Sequence, residues 1–133
     1  MRRAGRLGDG WIPSFITPDQ LRVGVRKTQA FAAESGREIP ADHFGALFYC
    51  CLDPDPAVAR AMAAPFVPRG RIDDAALERC TAFGPPALVR ERLEEYVAGG
   101  ASKFIVRPMC PPDRMLDQLG QLAIDVIPDF HRR

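Results

Sequence analysis

A chain of 133 residues, 47% apolar and with a formal net charge of +1, suits one modest domain and projects no field toward nucleic acid or an anionic membrane. No apolar run approaches the roughly 18 residues of a membrane span, and the basic Met1-Arg2-Arg3 has no apolar segment behind it to make a signal peptide. Cys50, Cys51, Cys80 and Cys110 include no C-x-x-C pair, so neither a zinc site nor a disulfide framework is expected, and the compartment indicated is a reducing cytoplasm.

In chain order, Arg2 to Leu7 reads as the end of a helix, broken by Gly8-Asp9-Gly10. Trp11-Ile12-Pro13-Ser14-Phe15 then reads as a short strand with its exit loop. Thr17-Pro18-Asp19 is a helix start: a capping hydroxyl, a proline at the first position and an acid near the positive helix end. Leu21, Val25, Thr28 and Ala32 mark the inner face of that helix, with Phe31 beside them, and Gly36 stops it. Phe44 to Leu52 is almost continuously apolar, the pattern of a strand covered on both faces. Asp53-Pro54-Asp55-Pro56 closes it and caps a helix from about Ala57 to Ala64. Pro65 to Asp74 is irregular, and Ala75 to Thr81 supplies one or two further helical turns.

The stretch from Phe83 to Pro108 repeats the pattern most clearly. Gly84 turns the chain, Pro85 and Pro86 suit a first helical turn, and Val89, Leu93, Tyr96 and Val97 make one apolar stripe. Gly99-Gly100 ends the helix, and Lys103 to Val106 is a short apolar strand ending at Arg107-Pro108. Pro111-Pro112-Asp113 starts the last helix, whose apolar face is Met115, Leu116, Leu119, Leu122, Ala123, Val126 and Ile127. Pro128 ends it, and Phe130 to Arg133 is a tail. Strands alternate with helices, so the class is α/β, with three strand–helix units around Trp11, Leu47 and Ile105 expected to lie parallel and adjacent. Three parallel strands leave two open edges. They fit better as part of an eight-stranded barrel, which typically needs about 250 residues.

Several of these segments resemble the luciferase-like monooxygenase family. Arg3-Ala4-Gly5-Arg6-Leu7-Gly8-Asp9-Gly10-Trp11 is similar to that family's A-R-x-G-D-G-W segment, Thr17-Pro18-Asp19 to a helix start and Ser35-Gly36-Arg37 to a helix end. Phe83-Gly84-Pro85-Pro86 resembles its G-t-P-e turn, with Pro86 where an acid is common. Gly99-Gly100-Ala101 and Arg107-Pro108-Met109-Cys110-Pro111 are similar to the segments around its final strand. The resemblance implies a TIM-type (β/α)8 barrel that binds FMN or the deazaflavin coenzyme F420 and acts on a small organic substrate by hydride or oxygen chemistry. It also implies that residues 1–133 are the C-terminal portion, the last three strands and helices, with the N-terminal part of the barrel and part of the flavin-phosphate site absent.

In such barrels chemistry sits at the carboxyl ends of the strands. Three places qualify: Trp11 to Ser14, Cys50 to Asp53, and Arg107 to Cys110. Trp11 and Ser14 are the candidates for coenzyme binding, set against a plain packing role for the tryptophan. Arg107 and Cys110 are the candidates for substrate binding. Arg107 is a guanidinium at a strand end beside a helix start, suited to a phosphate or carboxylate; the alternative is a surface or salt-bridged arginine. A helix N-terminus near Cys110 would lower its thiol pKa, whereas Cys50 and Cys51 read as buried apolar thiols on opposite strand faces. His43 precedes its strand, at the wrong end for catalysis, and His131 is in the tail. No catalytic residue and no metal site is assigned.

Two function classes follow. One is an oxidoreductase of which this chain is the closing part. The other is a non-catalytic half-barrel that pairs with another chain; a flavin-free barrel enzyme is a third, weaker reading. In either of the first two, self-association or pairing with the other half of the barrel is expected, because helices cover one strand face and the other would face a barrel interior.

Overall fold

The computed structural model describes residues 1–68, 70 and 72–130; the tail with His131 lies outside them. Arg2–Leu7 is a short helix, α1. Thr17 then opens α2, Pro18–Ala33, with a reciprocal cap. Its hydroxyl accepts from the Gln20 amide, and its own amide donates to the Gln20 side chain at 2.8 Å. Two donors that a helix start would leave orphaned are satisfied in this way. Gly45–Leu52 is strand β1, Pro56–Ala63 helix α3, Asp74–Cys80 helix α4, Thr81–Gly84 strand β2, Pro86–Ala98 helix α5, Lys103–Pro108 strand β3 and Met115–Asp125 helix α6. The strands form a parallel sheet in the order β2-β1-β3, with Tyr49 opposite Thr81 and Leu52 opposite Gly84.

The chain divides into two compact units, Met1–Phe48 with Glu95–Ile105 and Tyr49–Glu94 with Val106–Arg133. In the first, α1 packs on α2. Ala32, Ile39 and Phe44 form a buried cluster, with Trp11 and Val25 against it. Tyr96 sits edge-on to both Phe48 and Phe104, at centroid distances of 5.8 and 6.3 Å. Its hydroxyl donates to the Ile16 carbonyl at 2.5 Å. In the second, Val89 and Leu93 of α5 are buried, as their helical spacing predicts. Arg90 donates from Nη1 to the Asp125 carbonyl at 2.6 Å and faces the Asp129 carboxylate from Nε at 3.5 Å.

Five features differ from the sequence reading. Trp11 to Phe15 is no continuous strand: it makes isolated parallel bridges, Trp11 with Phe44 and Ser14 with Leu47. Pro13 has no amide to donate, and Phe15 adopts φ +52°, a left-handed turn that ends the pairing. The third strand is instead β2, at residues expected to end one helix and begin a turn. α6 starts at Met115 after a 3-10 turn at Pro112–Arg114, not at Pro111. Its inward residues are Gln118, Leu122 and Val126, while Leu116, Leu119 and Ile127 are exposed. Finally, β1 is buried on both faces, as its apolar run reads, with Leu47 half-exposed, so the open face expected of a half-barrel strand is absent there. Ile105 of β3, 54% exposed, is the apolar strand residue that stays open.

Candidate functional site

In the second unit the carboxyl ends of β1 and β3 meet the start of α6. The Met109 amide donates to the Cys50 carbonyl at 2.7 Å. Beyond it, the buried Gln118 side chain bonds both the amide and the carbonyl of Leu52. Asp53 follows, half-buried. Its amide donates to the Gly84 carbonyl at 3.2 Å, and its carboxylate accepts from the Asp55 amide at 2.9 Å. The turn that begins α3 is therefore built by the aspartate itself.

Arg107 stands one residue before the end of β3, whose side chains alternate between exposed and half-buried. Phe104 lies on the face that Tyr96 covers, so by the two-residue period Lys103, Ile105 and Arg107 share the opposite face. Arg107 is exposed and has no hydrogen-bond or ion-pair partner among the described residues. A guanidinium so placed can bind an anion in a two-pronged manner.

All four cysteines are free, buried thiols. Burial pushes Cys50 up to about 12 and Cys51 and Cys80 each up to about 11. The Cys110 thiol is also raised, by burial first, with Arg114 pulling the other way. The lowering expected from a helix N-terminus at Cys110 does not occur, because α6 begins only at Met115. These thiols are packing groups, protonated at neutral pH and poor nucleophiles.

Trp11 and Ser14 belong to the first unit. Trp11 is half-buried, and its ring lies against Gly24 of α2, where a Cβ would come within 2.2 Å of Cζ3 and Cη2. Ser14 is exposed, beside Leu47 of β1. No group of three or more His, Cys, Asp or Glu side chains among the described residues is placed to hold a metal ion. A cavity of about 60 Å³ in the second unit, lined by Arg60, Thr81, Phe83 and Arg92 among others, is far too small for a flavin ring. Sequence reasoning missed Gln118 because glutamine is usually solvated. Its signal was spacing: Gln118, Leu122 and Val126 recur every four residues on one helix face.

The family model for luciferase-like monooxygenases matches residues 1–103. The chain belongs to the luciferase-like monooxygenase family. Its fold is similar to that of the coenzyme F420-dependent tetrahydromethanopterin reductase from Methanopyrus kandleri, with a TM-score of 0.68, 21% identity, and coverage of 97% of this chain and 47% of that one. An F420-dependent secondary alcohol dehydrogenase in complex with an F420-acetone adduct gives a TM-score of 0.70 at 17% identity, covering 97% and 45%. A monooxygenase from Streptomyces bottropensis gives 0.68 at 19%, covering 97% and 44%. No curated protein matches the sequence. The chain spans just under half the length of these solved structures, and its sheet and helices are part of a luciferase-like barrel.

Proposed function

We propose that residues 1–133 form one partial-barrel domain of a flavin- or deazaflavin-dependent oxidoreductase, acting in the cytoplasm on a small organic substrate by hydride or oxygen chemistry. The observation that carries this reading is the family match over residues 1–103. The coenzyme is F420 or FMN. A bound flavin or deazaflavin would supply the hydride or oxygen chemistry itself; the chain's part is to bind and orient. Arg107 fits that part. It is exposed, unpaired among the described residues and close to a strand's carboxyl end, so it would hold an anionic group of coenzyme or substrate. Cys110, buried and protonated, would be a wall of the substrate site. Ser14 would meet the coenzyme in the first unit, and Trp11, wedged against Gly24, would hold that segment in place.

The test is a fluorescence titration of F420 and of FMN with the chain alone and with a complementary half-barrel supplied in trans. Weak binding alone and restored binding in trans are expected; no binding in either arrangement overturns the reading. A second reading, a half-barrel that serves as an interaction module, is favoured by the exposure of Ile105, at 54%, and Leu116, at 81%. Sedimentation that finds a compact monomer with a cooperative melt would remove it.

A further inference from the structure

We propose that Gln118 is the positioning residue for the carboxyl end of β1, where its side chain stands in for a neighbouring strand. The last rung from the β3 side to β1 is the Met109 amide on the Cys50 carbonyl. Leu52 lies beyond it, and on that side its backbone would be left unpaired inside the protein. Gln118 Nε2 donates to the Leu52 carbonyl and Gln118 Oε1 accepts from the Leu52 amide, both at 2.7 Å. This is the pair of hydrogen bonds that one residue exchanges with its partner across an antiparallel ladder. A primary amide can make it because donor and acceptor sit on one carbon. The Leu52 amide can only donate, which fixes the orientation of the Gln118 side chain.

The clamp is 2% exposed and joins residues 66 apart in sequence. Buried bonds of this kind are costly to leave half made. Their effect is local and directional. The Leu52 peptide is held from α6 and the Asp53 amide is held by Gly84, so the backbone that carries the Asp53 carboxylate is fixed from both sides. Its consequence for a reaction rests on the reading of the strand ends as the chemical end of the barrel; the clamp itself does not.

Three forms of the whole chain test it: wild type, Q118M and Q118E. Nuclear magnetic resonance follows exchange of the Leu52 amide and the chemical shift of the Asp53 amide, which is bonded to Gly84. Q118M keeps the length and loses both bonds, so Leu52 exchange should speed up about tenfold or more and the Asp53 amide shift should move. In Q118E the protonated acid again offers one donor and one acceptor, whereas the ionised form offers acceptors only and faces the Leu52 carbonyl. Burial raises the folded pKa of the introduced carboxyl above its unfolded value. Leu52 protection is therefore present at low pH and lost as pH rises through the folded pKa. Cys50, Cys51, Asp53, Asp55, Cys110, Asp113, Arg114 and Asp117 lie on the elements that meet here and are common to wild type, so the difference from wild type isolates position 118. Where Q118M does not fold, the Q118E pH series decides. Unchanged Leu52 exchange, or an Asp53 amide shift that moves in neither variant, overturns the proposal. If Leu52 and Asp53 respond while no coenzyme binds in any arrangement, the proposed function fails and the positioning role stands.

Discussion

Phe104 meets Tyr96 edge to face, with ring centroids 6.3 Å apart and planes at 82°. That contact decides which side of β3 is covered. Phe104 and Val106 take the covered side, and Lys103, Ile105 and Arg107 the other. Arg107 therefore lies on the open side near a strand end, outside the core.

Arg107→Ala is therefore expected to leave stability within about 0.5 kcal/mol of wild type, as for other surface positions. It should weaken binding of an anionic coenzyme or substrate by roughly 1.5–3 kcal/mol where the guanidinium contacts the charge directly. Arg107→Lys should recover part of that loss, because charge is kept and two-pronged geometry is not. Denaturant melts and coenzyme titration of the reconstituted barrel measure the two halves of the expectation; wild-type binding by both variants would leave Arg107 a solvated surface arginine.

Tyr96→Phe removes the hydroxyl that donates to the Ile16 carbonyl at 2.5 Å and leaves the ring contacts intact. The loss should be about 1–3 kcal/mol, since the carbonyl is left without its partner. Urea denaturation with an unchanged m-value would report it as a stability effect.

The thiols carry a pH signature. Cys50 is raised to about 12 and Cys51 and Cys80 to about 11, against an ordinary value of 9.0, chiefly by burial. Below pH 9.0 both the folded and unfolded forms hold these protons and stability does not depend on them. Above it the unfolded chain releases protons that the folded chain keeps, so stability falls as pH rises toward the folded values. Melts from pH 8 to pH 10 should show the decline, and Cys→Ala variants should flatten it. Alkylation at neutral pH should be slow in the native protein and label all four cysteines after unfolding.

Much of this was readable in advance. The Thr17 cap, the α5 stripe and the burial of Cys50 and Cys51 are local consequences of residue type and spacing. What was not readable depends on context. β2 is four residues long and starts directly after α4, so nothing punctuates the change, and Gly84-Pro85-Pro86 drew the eye to a turn. The Trp11 segment has strand composition, but one proline and one left-handed phenylalanine reduce it to bridges. On α6, leucine at 116 and glutamine at 118 exchanged their expected places because the neighbour at Gln118 is backbone, which rewards an amide. Arg107 was legible as a strand-end cation; its lack of a partner among the described residues was not.

Gly24→Ala tests the other close approach. A Cβ there would fall within 2.2 Å of the Trp11 ring, so the ring must move, at a cost of about 1–3 kcal/mol. Tryptophan emission should shift to the red as the ring gains water. Trp11→Leu should relieve the clash, so the double variant is expected to lose less stability than the two single losses added together.

The Arg90 fork has a consequence for how the chain's end opens. Its contact with Asp129, at 3.5 Å, joins two side chains that are 39% and 55% exposed; such surface pairs are weak and screened by salt. Its bond to the Asp125 carbonyl, at 2.6 Å, does not depend on a second ionised group. Raising ionic strength should therefore loosen the final turn at Ile127–Asp129 while α6 stays closed. A protease added at high salt would clip first at that turn, and the trimmed chain would keep the Gln118 clamp.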